Sequence, residues 1–213
     1  MSLEIIHIES RSEWLQKRDE IRGIGGSDAA AAIGLGKFKS MTQLWQEKTG
    51  RVKPKDISGE AYVQFGVTAE GPLRDLFVAR HPGYSVEHRP YDIYRQRERP
   101  WLFATLDGEL TDTASGAKGI LEVKTCTVQR WGDWNGRVPD QYYIQVLHQM
   151  LATGYSYAWL TALLMRGEDC YIRDYQFDRA ECSDDLAELV EREERFMQYV
   201  RRDRMPPTPI FLH

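Results

Sequence analysis

Asp107, Glu122 and Lys124 are the residues of this chain whose types and spacing could do chemistry. Asp107 ends the apolar run Leu102-Phe103-Ala104-Thr105-Leu106. After a polar turn at Thr113-Ala114-Ser115-Gly116, a second strand-like run carries Glu122-Val123-Lys124. Alternate side chains of a strand share a face, so Glu122 and Lys124 point together while Leu121 and Val123 turn to a core. A hairpin then brings Asp107 beside them. Two carboxylates and a lysine gathered in this way suit Mg²⁺ or Mn²⁺, because Mg²⁺ keeps several waters and takes few protein carboxylates. The lysine can orient or deprotonate an attacking water. The competing reading of the same three residues is a surface salt-bridge pattern on a two-stranded ribbon, and context has to decide between them.

The elements that must position these groups follow from local patterns. Ser10-Arg11-Ser12-Glu13 reads as a capping box, opening a helix whose inner face is Trp14, Leu15 and Ile21. That helix leads into Arg22-Gly23-Ile24-Gly25-Gly26-Ser27, a glycine-rich turn before an alanine-rich helix. Free N–H groups behind Ser27, with Arg22 in front, form a seat for a terminal phosphate. A tight turn that only lets helices pack closely explains the same residues. A second capping box, Ser40-Met41-Thr42-Gln43, starts another helix that stops near Gly50. From Glu60 to Ala79 apolar residues recur with helical spacing, interrupted at Gly66 and at Gly71-Pro72. Glu70, next to that kink, either faces the Asp107 cluster or caps the Pro72 turn.

Strands are expected within Tyr84 to Tyr94 and at Leu102 to Leu106, Gly108 to Leu110, Gly119 to Thr125, Tyr157 to Leu164 and Tyr171 to Phe177. Trp131 and Trp134 lie in a loop or short helix. Pro139 to Gly154 is the clearest helix, with Tyr143, Ile144, Val146, Leu147, Met150 and Leu151 on one side. Gln141, Tyr142, Gln145, His148 and Gln149 fill the other. A solvent-facing helix usually carries Lys and Glu, so this uncharged face is expected to look into a site, with His148 a packed or hydrogen-bonded residue. Ser183-Asp184-Asp185 caps a final helix to about Arg202, acids first and arginines last. An extended tail, Met205-Pro206-Pro207-Thr208-Pro209, follows.

Bulk properties narrow the function classes. A length of 213 residues suits a single domain over residues 1–213, and 42% hydrophobic with 28% charged residues is ordinary soluble composition. No apolar run spans a bilayer and the N-terminus lacks a signal-peptide pattern, so the expected location is the cytoplasm, with no membrane partner. Three cysteines without CxxC spacing argue against a disulfide framework, a zinc site or an iron-sulfur cluster, leaving oxygen ligands for any metal. A net charge of −4 makes nucleic-acid contact a matter of local basic patches, such as Arg95, Arg97 and Arg99 or Arg201, Arg202 and Arg204.

Taken in order, Arg22-Gly-Ile-Gly-Gly-Ser27, Phe65-Gly66 with Glu70, Thr105-Leu106-Asp107-Gly108, Ile120 to Thr125 and Tyr142-Tyr143-Ile144-Gln145 resemble the YqaJ-type viral recombinase and lambda phage exonuclease family, a branch of the PD-(D/E)xK nucleases. The likeness covers roughly Arg22 to Gly154. It implies an α/β fold with a restriction-endonuclease-like PD-(D/E)xK core, a central mixed sheet flanked by helices. It also implies a nuclease in which Asp107, Glu122 and the Val123 carbonyl hold the metal, Lys124 sits against the nucleophilic water and Glu70 completes the acidic cluster. Gln145 and Tyr142 would supply the helix-borne contacts, while Arg22, Ser27 and Thr105 would bind the 5′ phosphate or its neighbour. Thr105-Leu106 before Asp107, in place of a Pro-Asp pair, departs from the pattern but leaves the ligand. The expectation is an ATP-independent 5′–3′ exonuclease with Mg²⁺, or Mn²⁺, as two ions per site. It would act on double-stranded DNA ends as a homotrimeric ring and leave a 3′ overhang for a single-strand annealing protein. The alternatives are an endonuclease or repair nuclease of other polarity, and a non-catalytic DNA-end-binding module.

Overall fold

Strand β6 (Lys118–Thr127) lies at the centre of the structure, a computed structural model that describes residues 2–207. Its neighbours are β5 (Gly108–Asp112), antiparallel, and β7 (Tyr157–Arg166), parallel. Beyond these lie β2 (Tyr84–Glu87) and β8 (Asp169–Asp178), giving a five-stranded mixed sheet in the order β2-β5-β6-β7-β8. A smaller antiparallel sheet holds β1 (Leu3–Ile6), β3 (Ile93–Gln96) and β4 (Phe103–Ala104) in the order β1-β3-β4. The parallel β6–β7 pair requires a crossover, and helix α5 (Asp140–Thr153) supplies it. Gly154 closes α5 at φ 76°, a left-handed turn that glycine adopts without a Cβ clash.

Period-two alternation sorts the central strands onto two layers. Leu121, Val123, Tyr157 and Leu110 pack with Leu73 and Phe77 of helix α4 (Ala61–Arg80). Ile120, Cys126, Ala158, Leu160, Ala162 and Leu164 pack beneath α5 and helix α6 (Ser183–Arg201). The remaining helices, α1 (Arg11–Ile21), the short α2 (Ala29–Ala32) and α3 (Met41–Lys48), enclose the glycine turn. The architecture is the expected one: a central mixed sheet flanked by helices. Among the described residues no helix is long and apolar enough to cross a membrane.

Four local expectations need correction. Helix α4 runs unbroken through Gly66 and Gly71-Pro72. The proline forfeits one backbone hydrogen bond, but burial of Leu73 and Phe77 against β6 and β7 holds the segment helical, as tertiary packing commonly does for helices. Of the expected inner face of α1, Trp14 and Ile21 pack against Ile8, Ile93 and Phe103, but Leu15 is exposed. At Ser10 only the hydroxyl half of the capping box forms, accepting from the Glu13 N–H, whereas both halves form at Ser40. Ser183 is the first helical residue of α6, and the cap position belongs to Cys182. Trp131 to Trp134 form a 3₁₀ turn that buries Trp134. Of the tail, Thr208 and Pro209 lie outside the described residues.

Candidate active site

The β5–β6 pairing stops at Gly108 and Leu121, so from Glu122 onward one edge of β6 is free of its neighbour. Asp107, just before β5, turns its side chain into that gap, and its Oδ2 accepts the Val123 N–H at 2.8 Å. A strand residue points its N–H and C=O to the same side. The Val123 carbonyl therefore faces the same open edge as Asp107. On the α5 side of the sheet, Glu122 is buried and hydrogen-bonded to Lys124 Nζ and to two amides from α5. Gln145 Nε2 donates to its Oε1 at 2.5 Å and Gln149 Nε2 to its Oε2 at 2.5 Å.

Electrostatics tie the cluster together. Burial, followed by the like charges of Glu122 and Glu70, pushes the Asp107 carboxyl up to about 8, against the pull of Lys124 and the Val123 N–H. Burial works against the Lys124 ammonium, yet Glu122 and Asp107 more than offset it and raise the pKa above the lysine norm. Glu70 is raised by burial and by Glu122, with Arg74 and Lys124 opposing. Glu70, on α4, is thus within electrostatic reach of the cluster.

An excess of carboxylates repelling one another is what a dication relieves, and every available donor here is oxygen: Asp107, Glu122, Glu70 and the Val123 carbonyl. Gln149 Oε1 is buried beside them without a hydrogen-bond partner. Among the described residues no trio of His, Cys, Asp or Glu is already gathered as a metal cage. Mg²⁺ needs only one or two protein carboxylates with waters completing its shell, so the donor set fits it.

Tyr142 reaches the same face. Its hydroxyl accepts from Cys126 Sγ at 3.3 Å, and Lys124 Nζ lies 5.6 Å from its ring centroid. The glycine turn closes the site from the other side: a Cβ on Gly26 would stand 3.3 Å from Gln145 Cγ, so a side chain there would crowd the amides that hold Glu122. Ser27 is exposed on that turn, and Thr105 Oγ1 accepts the Trp14 indole N–H at 3.0 Å. Arg22 is exposed and lines a cleft with Lys48, Arg51, Arg95 and Arg201, to which Gly25, Gly26, Asp107, Glu122 and Glu70 do not contribute.

A model of the YqaJ-like viral recombinase domain matches residues 13–156. The chain belongs to this family. It is 31% identical over 182 residues to a Bacillus subtilis (strain 168) protein named only as uncharacterized protein YqaJ, an overlap of 85% of this chain and 53% of that relative. The chain thus spans about half the length of the curated relative it matches. In fold it is similar to an alkaline exonuclease (LHK-Exo) of Laribacter hongkongensis, with a TM-score of 0.59 at 18% identity over 90% of this chain and 97% of the other. A phage-related exonuclease of Haemophilus somnus 129PT aligns at 0.55 and 13% identity over 85% and 96%.

Within this YqaJ-like domain one residue of the site-facing side of α5 was given no role from sequence, and two other site residues were not found there. Gln149, on that expected face, repeats Gln145 one turn later and holds the second oxygen of Glu122, so the i, i+4 amide pair was the signal. Arg74, four residues after Glu70, donates to the Asp107 carbonyl at 3.3 Å. Arg18 stands over the Trp14 ring at 4.3 Å and 5.8 Å from the Phe103 ring centroid, and its Nη2 would lie 3.6 Å from a Cβ on Gly25. Burial lowers its pKa against the opposing charges of Asp28 and Asp19, neither of which reaches salt-bridge distance among the described residues. Trp14 and Arg18, four apart, marked that face of α1.

Proposed function

We propose that this chain is a cytoplasmic, divalent-metal-dependent 5′–3′ exonuclease that digests one strand of linear duplex DNA. It leaves a 3′ single-stranded overhang for a single-strand annealing protein. The observation that supports it most is the meeting of Asp107, Glu122 and Lys124 at the open edge of β6. Bound there as Mg²⁺ or Mn²⁺, two ions would neutralise the scissile phosphate and supply a hydroxide nucleophile at neutral pH. Asp107, Glu122 and the Val123 carbonyl would hold them, with Glu70 completing the acidic cluster. Gln145 and Gln149 lock Glu122 into one rotamer, so the carboxylate does not swing when substrate arrives. Lys124, fixed by Glu122, holds the attacking water in line with the phosphorus, and Tyr142 walls that side. Membership of the recombinase family and the exonuclease names of the structural neighbours favour a nuclease over a binding module.

Direction comes from an end-recognising pocket. The guanidinium of Arg18, which among the described residues makes no salt bridge, lies beside the glycine turn, where Ser27 and Thr105 offer hydroxyls. A 5′ phosphate seated there leaves the first phosphodiester at the carboxylates. Arg18→Ala is expected to cut the preference for 5′-phosphorylated over 5′-hydroxyl ends by about 10- to 100-fold, the worth of one charge-assisted hydrogen bond. Equal loss on both kinds of end would remove Arg18 from that role.

Mg²⁺-dependent digestion of end-labelled linear duplex, with covalently closed circles as control, tests the whole reading. Release of 5′ mononucleotides from linear DNA alone supports it, and cutting of circles would mark an endonuclease instead. A mass measurement in solution checks the homotrimer.

A further inference from the structure

We propose that the cleft lined by Arg22, Lys48, Arg51, Arg95 and Arg201 binds the phosphates of a single DNA strand, at a second site outside the carboxylate cluster. It is a concavity of about 970 Å³ between the C-terminal ends of α1 and α6 and the end of α3. That volume lies at the upper end for small-ligand pockets and holds a few nucleotides of one strand, not a duplex. Four of the five cations are held in place by carboxylates: Lys48 by Asp28 at 2.8 Å, Arg51 by Asp203 at 2.6 Å, Arg95 by Glu4 at 2.5 Å and Arg201 by Glu194 at 2.5 Å. Only Asp203 of those four carboxylates lines the cleft itself, joined there by Glu20, which Gln16 and Lys17 already engage. Arg22 has no carboxylate partner among the described residues.

Backbone strain marks the same place. Among the described residues the non-glycine positions with positive φ are Arg22 at 48° and Asp203 at 51°, and both line this cleft. Arg22 caps α1 in a left-handed conformation where glycine is the default. The left-handed cap fixes where the Arg22 side chain leaves the backbone, and among the described residues no carboxylate neutralises it there. Guanidinium forks match phosphate oxygens, and Ile21, Pro100, Met197 and Val200 give sugars and bases an apolar wall. In a chain of net charge −4, contact with a nucleic acid has to be concentrated in such local patches. The choice of DNA among polyanions rests on the nuclease reading above.

Binding of fluorescent oligothymidylate, followed by anisotropy without divalent metal so that no strand is cut, tests this. Arg22→Glu is expected to weaken binding about tenfold and to reduce the salt slope by about 0.7, the share of one phosphate on a single strand. Arg166→Glu, the same charge change at an exposed position outside the cleft, is expected to stay within about twofold of wild type. Arg22→Gly is the sharper variant. It is expected to raise Tm by about 2 °C, because glycine relieves the left-handed strain, while still weakening binding about fivefold. Higher Tm with unchanged binding would make Arg22 a strained cap and nothing more. Arg22→Glu binding like Arg166→Glu would also overturn the proposal, as would oligoglutamate displacing the strand as well as unlabelled oligothymidylate does. Failure of wild-type protein to digest duplex with Mg²⁺ would sink the nuclease reading alone, since the anisotropy comparison needs no hydrolysis.

Discussion

Lys124→Ala is expected to slow digestion of linear duplex DNA by at least about 10²- to 10³-fold, the usual effect of removing one preorganised donor from a charged transition state. The ammonium is the cation at the centre of the acidic cluster. It bonds Glu122 and offsets the charges on Asp107 and Glu70. Without it, Glu122 is still held by Gln145 and Gln149, so the carboxylates keep their positions and lose the group that places the water. DNA affinity measured without metal should therefore stay within about twofold of wild type. Arginine is a poor substitute, because a planar fork does not occupy the space of a compact ammonium. Single-turnover digestion of end-labelled duplex reads the effect, and a wild-type rate in Lys124→Ala would remove this residue from the mechanism.

The second large effect lies behind the site. His148 and Glu193 are both fully buried; His148 Nε2 donates to the Phe103 carbonyl at 2.9 Å and Nδ1 meets Glu193 Oε1 at 2.7 Å. The ring ties α5, which carries Gln145 and Gln149, to α6 and to β4, from which the chain runs into Asp107. His148→Ala strands Glu193, whose other oxygen is already without a partner, and is expected to cost about 3–5 kcal/mol, or roughly 10 °C in Tm. In the double variant with Glu193→Leu most of that loss should return, because replacing both partners with apolar groups leaves no buried charge. A double variant as unstable as His148→Ala would show that the carboxylate is not the cause.

The same pair has a pH signature. Burial opposes a charged His148, but Glu193 and the Phe103 carbonyl more than compensate and raise its pKa above the histidine norm. A pKa raised on folding stabilises fully below the unfolded value, about pH 6.5, and the contribution fades as pH climbs through the folded value. Thermal melts across neutral to alkaline pH should therefore show a decline that His148→Ala lacks.

How much of this was legible follows from the range of each signal. The face shared by Glu122 and Lys124, the α5 helix with its uncharged side and the alternation that splits Leu121 from Ile120 all depend on neighbours within a few residues. Such patterns are written in the order of the chain. The running on of α4 past Pro72 was not legible, because the burial of Leu73 and Phe77 that sustains it comes from strands far away in sequence.

Which cation faces the glycine turn was settled by the path of the backbone. The left-handed cap at Arg22 accompanies its placement in the cleft with Arg51 and Arg201, while Arg18, one turn earlier, stacks between Trp14 and Phe103 beside Gly25. Sequence by itself therefore determined the candidate site residues, their strand and helix, and the family resemblance. Only the tertiary structure decided that Gln149 and Arg74 join them, which arginine meets the turn, and that His148 braces α5. Apart from Arg18 and the turn, which the path of the backbone brings together, those contacts join residues far apart in the chain, and their partners are chosen by packing, which local spacing does not encode.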